Sequence, residues 1–177
     1  DRSSAASDVY KRQQHVIAHV QLEGSMDRCS PELFQKHLDN SLTNPIGATY
    51  AHAIFTEDVL LLGQMRGLEP LFERGGWEAK IGTPLPAEAP LLDRQWALDF
   101  EFNREAWREY AEAVREEYRN YVTSAPEEVM EQIMDFGPLG NRPLLSHYAS
   151  LGTFHISSHQ GEIAALMGLE DEQGQIL

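Results

Sequence analysis

The stretch FHISSHQGEIAALMGL, residues 154–169, carries the strongest structural and chemical signal in the chain. Together with the apolar residues before it, it predicts a long helix from Pro143 to about Met167 that ends at a glycine. His155 and His159 stand four residues apart, so both imidazoles lie on one helix face, with about 6 Å between their Cβ atoms. Two imidazoles in this arrangement can share one cation.

The face that carries this histidine pair is otherwise apolar, so we expect it to point into the protein. An unpartnered imidazole there would cost about 1–3 kcal/mol, so the pair needs partners. Glu162 follows His159 by three residues, and its carboxylate can orient an imidazole or relay a proton. Gly152 lies one turn before His155 and is expected to leave room beside that ring. Tyr148 on the same face is expected to pack, and the alternative is that it orients a ligand.

A third metal ligand must come from another helix, and His52 is the best candidate. It lies in the middle of a segment from Pro45 to about Met65 that has helical periodicity. Thr49 and Thr56 share its side of the helix, and small polar residues on an otherwise apolar helix are typical of a cavity. The alternative is a core histidine that is hydrogen-bonded to a backbone carbonyl.

The other four histidines are expected to lie outside this site. His15 and His19 also stand four residues apart, but they adjoin the N-terminal segment, and we expect them to face solvent or to pack. His37 is expected to be exposed on a short helix. His147 is expected to border the site without filling it, because it lies about 80° around the helix from His155.

Helical periodicity recurs along the whole chain, whereas strand signals are weak. A first helix is predicted from His15 to Met26, and Ser30 is predicted to cap a short helix that follows it. A third main helix is predicted to begin after Asn103. Residues 68–92 are rich in proline and glycine, which indicates a long loop with little regular structure. We therefore expect an all-α protein: a four-helix bundle with a long crossover loop between the second and third main helices.

The composition limits the class of partner. The chain has 177 residues, with 14 Lys and Arg against 28 Asp and Glu, and its net charge is −14. This charge argues against nucleic acid and against anionic membranes as partners. No apolar run approaches the roughly 20 residues of a membrane span. A single cysteine, Cys29, excludes an intramolecular disulfide and suits the cytoplasm, where we expect the protein.

The first residues differ in character from the rest of the chain. The string SSAASDVYKRQ, residues 3–13, resembles a translated sequencing-adapter sequence. We therefore expect residues 1–13 to be non-native and residues 14–177 to form a single helical domain.

Other metal enzymes and hydrolases are disfavoured by the motifs around the histidines. A ferritin-like di-iron centre needs glutamate three residues before a ligand histidine, but Thr49, Gly152 and Ile156 occupy those positions. A zinc protease would show His-Glu-x-x-His. A serine hydrolase of the α/β type would show Gly-x-Ser-x-Gly, which is absent from the sequence.

Two segments resemble the DinB-like superfamily. The stretch 154–169 resembles its last-helix signature, His-x-x-x-His-x-Gly-Glu/Gln-Ile, and NPIGATYAH (44–52) with the following Glu57-Asp58 is similar to its second-helix segment. The resemblance covers about residues 14–174. It implies a four-helix bundle in which three histidines, here His52, His155 and His159, bind one divalent metal and leave positions open for water or substrate.

The resemblance also implies a reaction. Characterised members of the family include metal-dependent thiol S-transferases and a maleylpyruvate isomerase, which use low-molecular-weight thiols. We therefore expect transfer or addition of such a thiol cosubstrate to a small electrophile, with Glu162 as positioning group or base. Zinc or nickel is the first expectation for the metal, and iron or manganese the second. The alternative is a non-catalytic metal-binding or dimerising bundle, such as a stress-related binding protein; the aromatic-rich third helix would allow a homodimer.

Overall fold

The computed structural model describes residues 2–38, 42–82, 94–99 and 101–174, and four long helical segments dominate them. The first bundle helix is α1 (Arg2–Arg28), and the third is α7 (Arg104–Ser124). The second bundle helix has three consecutive parts: α3 (Ile46–Thr56), a π-helical segment (Glu57–Gly63) and a 3-10 turn (Gln64–Arg66). The fourth also has three parts: α9 (Leu144–Ala149), a π-helical segment (Ser150–His155) and α10 (Ile156–Leu169).

Short elements occupy the connections between the four bundle helices. The short helices are α2 (Pro31–Gln35), α4 (Leu71–Arg74), α5 (Trp77–Ile81), α6 (Arg94–Asp99) and α8 (Glu127–Met130). Three of them, α4 to α6, lie between the second and third bundle helices. The predicted all-α bundle with a long crossover at this point is therefore confirmed.

Side-chain caps begin two of the helices at the residues that the sequence predicts. The hydroxyl of Ser30 accepts a hydrogen bond from the Leu33 amide at 3.3 Å at the start of α2. The Oδ1 atom of Asn103 accepts one from the Ala106 amide at 3.1 Å at the start of α7. Each cap satisfies a backbone donor that the first turn of a helix leaves without a partner.

The core lies where the apolar faces of the bundle helices meet. α10 packs against α1 and α3, and α7 packs against α3 and the π-helical segment that follows it. α7 contributes a row of buried residues at helical spacing: Ala106, Trp107, Tyr110, Ala111, Val114 and Tyr118. Its opposite face is charged, as an amphipathic surface helix requires.

The predicted loop over residues 68–92 is partly wrong, because α4 and α5 form within it. The buried carboxylate of Asp58 holds the first turn of α4 in place, although this helix is short. Its Oδ1 atom accepts a hydrogen bond from the Leu71 amide and its Oδ2 atom one from the Phe72 amide, each at 2.8 Å. Residues 83–92 of the predicted loop lie outside the described residues.

A small hairpin precedes the fourth bundle helix, although strand signals in the sequence are weak. β1 (Ile133–Asp135) pairs antiparallel with β2 (Asn141–Pro143), and a 3-10 turn (Gly137–Leu139) joins them. Gly140 adopts φ 71°, a backbone conformation that side chains with a Cβ rarely take. Three-residue strands carry too few alternating positions to give a periodicity signal in the sequence.

The role predicted for Gly152 is also wrong. A Cβ atom at this position would lie 2.7 Å from Cε2 of Tyr118 on α7. The missing side chain therefore makes room for a tyrosine of the third bundle helix, and the space beside His155 is not what it provides. This close approach joins the third bundle helix to the π-helical segment of the fourth.

Replacement of two glycines in the fourth bundle helix should have opposite effects on stability. Gly152→Ala should lower the free energy of unfolding by about 1–3 kcal/mol, because Tyr118 has to move. Gly161→Ala is the matched control, because no atom lies within 4 Å of its added Cβ. It should raise the free energy of unfolding by about 0.5–1 kcal/mol. Urea unfolding of both variants measures the difference; equal effects would contradict the packing described here.

Candidate metal centre

The second and fourth bundle helices bring three imidazoles together. The Nε2 atom of His155 lies 3.2 Å from Nε2 of His52 and 3.1 Å from Nε2 of His159. All three candidate ligand atoms lie within 4.8 Å of one another. The structure thus places the three histidines singled out in the sequence around one point, and each ring is half-buried.

The separation of these nitrogens fits one shared cation. Ligand nitrogens about 2.0–2.1 Å from a metal, at angles between octahedral and tetrahedral, are about 2.9–3.4 Å apart. The observed separations of 3.1 and 3.2 Å fall in this range. A hydrogen bond accounts for only one of the two contacts at His155, because an imidazole nitrogen carries one proton or one lone pair. The residues present therefore fit a divalent metal.

Glu162 fixes the protonation of one ring. Its Oε2 atom lies 3.0 Å from Nδ1 of His159. A carboxylate only accepts, so Nδ1 donates the hydrogen bond and Nε2 keeps its lone pair toward the other two histidines. Thr56 Oγ1 lies 3.4 Å from Nδ1 of His52. Among the described side chains, Nδ1 of His155 is buried without a hydrogen-bond partner.

The surroundings keep the rings of His52 and His155 neutral. Burial, together with the neighbouring imidazoles, lowers the pKa of His52 to about 3 and that of His155 to about 4. Both rings therefore offer a free lone pair at neutral pH, which is the form that a metal requires.

The remaining histidines meet some expectations and depart from others. Of the two alternatives for His15 and His19, packing is observed and exposure is not, since they are 1% and 2% exposed and both contact Glu57. His37 is half-buried, not exposed, and its Nε2 lies 3.2 Å from a guanidinium nitrogen of Arg94. His147 is buried, and its Nε2 lies 3.1 Å from a carbonyl oxygen of the hairpin, so it does not fill the site.

Tyr148 packs as predicted, and its hydroxyl donates to the backbone carbonyl of Leu61 at 2.7 Å. The contacts of His15 and His19 with Glu57 were missed from the sequence. The signal was the i, i+4 spacing of the two histidines, but nothing in the pattern indicated that a carboxylate on the second bundle helix would meet them.

The geometry defines an all-α bundle with three converging imidazoles, and comparison with known proteins gives its family. The DinB superfamily profile matches residues 14–163, so the chain belongs to that superfamily. A crystal structure titled as a conserved protein from Enterococcus faecalis superposes with a TM-score of 0.75 at 16% identity, covering 90% of this chain and 94% of that one. This likeness shows the shared fold. No curated protein sequence matches the chain.

The described helices were also compared with the requirements of a membrane span. Within the described ranges, none is both long enough and apolar enough to cross a bilayer.

Removal of one imidazole should remove one metal ion. We expect His155→Asn to hold one metal equivalent fewer per chain than the wild type after loading with zinc and dialysis. His37→Gln, outside the site, should leave the metal content unchanged. Glu162→Gln should weaken the affinity by about 10–100-fold, because the ring of His159 loses its carboxylate partner. Elemental analysis of tag-free protein measures the content, and equal metal in His155→Asn and wild type would contradict the site.

The metal-free protein should lose stability as the pH falls from about 6.5 toward 4. The folded-state pKa values of His52 and His155 are about 3 and about 4, below the value of about 6.5 for an unfolded chain. The unfolded chain thus binds more protons in this window, and unfolding becomes easier as pH falls. Thermal melting with chelator present measures the trend, and His52→Asn should show a shallower decline. An unchanged melting temperature between pH 7 and 5 would contradict this result.

Proposed function

We propose that this chain is a metal-dependent enzyme that transfers or adds a low-molecular-weight thiol to a small electrophile. The observation that carries the proposal is the convergence of His52, His155 and His159 through their Nε2 atoms. Membership of the DinB superfamily supports it, because the resemblance seen in the sequence links that family to thiol S-transfer.

The donor set suits this chemistry. Three neutral imidazoles contribute no negative charge, so a divalent cation held there keeps its full charge and at least one open position. When bound, such a cation lowers the pKa of a thiol or water at the open position and yields an anionic nucleophile near neutral pH. We propose zinc or nickel first and iron or manganese second, since imidazole accepts all four.

Glu162 has two roles in this proposal. Its contact with Nδ1 of His159 holds that ring so that Nε2 faces the metal position. Its side chain is 40% exposed, so it can also take a proton from an incoming thiol and pass it to solvent. The residue lies beside the site, and its exposure gives water access to its carboxylate.

The thiol arrives with the cosubstrate in this proposal. Cys29 is 2% exposed, and burial raises the pKa of its thiol to about 12. A thiol that stays protonated at neutral pH is a poor nucleophile. The chain therefore contributes ligands and a positioning carboxylate, and a small thiol contributes the reacting sulfur.

The proposal is tested with the zinc- or nickel-loaded chain, a panel of low-molecular-weight thiols and a chromogenic electrophile. We expect product formation that depends on both metal and thiol. His155→Asn should abolish it, and Glu162→Gln should reduce it about 10–100-fold. His37→Gln is the control and should match the wild type.

Two outcomes would contradict the enzymatic proposal. A chain that holds its metal but gives no thiol-dependent turnover is a binding protein, the alternative expected from the sequence. A chain that holds no metal and is fully stable is a helical scaffold, and its oligomeric state would then show whether it dimerises.

A further inference from the structure

A second cluster of metal-ligating side chains lies between the first and second bundle helices. Glu57 accepts from Nε2 of His15 through Oε1 at 2.7 Å and from Nε2 of His19 through Oε2 at 2.8 Å. The three candidate ligand atoms lie within 4.8 Å of one another, and all three residues are buried. None of them belongs to the three-histidine centre.

We propose that His15, His19 and Glu57 form a second site for a divalent transition-metal cation, with zinc as the representative ion. Two imidazoles one turn apart on α1 and one carboxylate from the facing helix make a His2Glu donor set, which zinc accepts with an open fourth position. The inference uses none of the residues on which the proposed function depends.

The charge of Glu57 favours a cation at this point. Its side chain is 0% exposed, and among the side chains that the structure describes it forms ion pairs only with His15 and His19. The nearby guanidinium of Arg115 pairs with Glu23 and Glu112 instead. A fully buried carboxylate is costly unless it meets positive charge, and a divalent cation at this point would supply that charge.

The ligand positions need little adjustment. The N···O separations of 2.7 and 2.8 Å are hydrogen-bond distances. Two ligands about 2.0–2.2 Å from one cation are about 3 Å apart, so a cation requires the rings to withdraw by a few tenths of an ångström. The ring of His15 stacks on Tyr118 at 3.7 Å between centroids and 3° between planes, so the imidazole can shift parallel to the plane of the tyrosine ring.

The cluster also has a route of entry. A cavity of about 200 Å³ is lined by His15, His19, Glu23, Arg115 and neighbouring residues of α1 and α7. Nδ1 of His19 is buried and has no hydrogen-bond partner among the described side chains. A cation here would link α1 to the second bundle helix, so it would add to stability as well as to metal content.

Zinc titration of the full chain tests the proposal in the His155→Asn background, where the three-histidine centre is disabled. We expect one remaining zinc equivalent and a melting temperature that rises with zinc concentration. The double variant His155→Asn with Glu57→Gln should bind no zinc and show no such rise. Glutamine keeps the size of the side chain and removes its charge.

His15→Gln and His19→Gln in the same background test the site independently of whether the Glu57→Gln variant folds. Circular dichroism checks that each variant is helical. Both should lose the remaining zinc equivalent, whereas His37→Gln should keep it. A folded His155→Asn chain that binds no zinc would overturn the proposal and leave the cluster as a hydrogen-bonded triad. Zinc binding unaffected by Glu57, His15 or His19 replacement would also overturn it. Neither result bears on thiol-dependent turnover.

Discussion

Imidazoles and carboxylates buried between helices have to find partners, and this constraint sets how three of the four bundle helices meet. His52 on the second bundle helix contacts His155 on the fourth, and Glu57 on the second contacts His15 on the first. An unsatisfied polar group at any of these places would cost about 1–3 kcal/mol. The polar contacts therefore specify the register of the helices, while the apolar core supplies most of the stability.

Two π-helical segments face each other at the level of both histidine clusters. The segment Glu57–Gly63 begins with an acid of the buried cluster, and the segment Ser150–His155 ends with a ligand of the candidate metal centre. Such segments are rare and concentrate at functional sites, because the extra residue per turn re-aims side chains. Here, Gly152 in the second segment admits Tyr118, which in turn stacks on His15. One close approach thus connects the fourth bundle helix to the ring of a histidine on the first.

The sequence predicted those features that depend on local pattern. The bundle, the caps at Ser30 and Asn103, and the three converging histidines follow from periodicity, capping chemistry and spacing, together with the family resemblance. The contact of His15 with Glu57 could not be predicted in this way, because Glu57 lies 42 positions away on another helix. Gly152 was misjudged for the same reason, since its neighbour belongs to the third bundle helix. Contacts between residues of different helices cannot be predicted from the residue spacing within one segment.

The adjacent acids Glu57 and Asp58 have different roles because their surroundings differ. Burial would raise the pKa of Glu57, but the contacts with His19 and His15 outweigh it and lower that pKa to about 2. Burial raises the pKa of Asp58 even though the Tyr110 hydroxyl and two backbone amides favour its ionised form. A step of one residue along the helix is enough to point Glu57 toward α1 and Asp58 toward α4. The two acids are consecutive residues of one π-helical turn. That turn therefore both docks the crossover onto the second bundle helix and contributes the carboxylate of the buried histidine cluster.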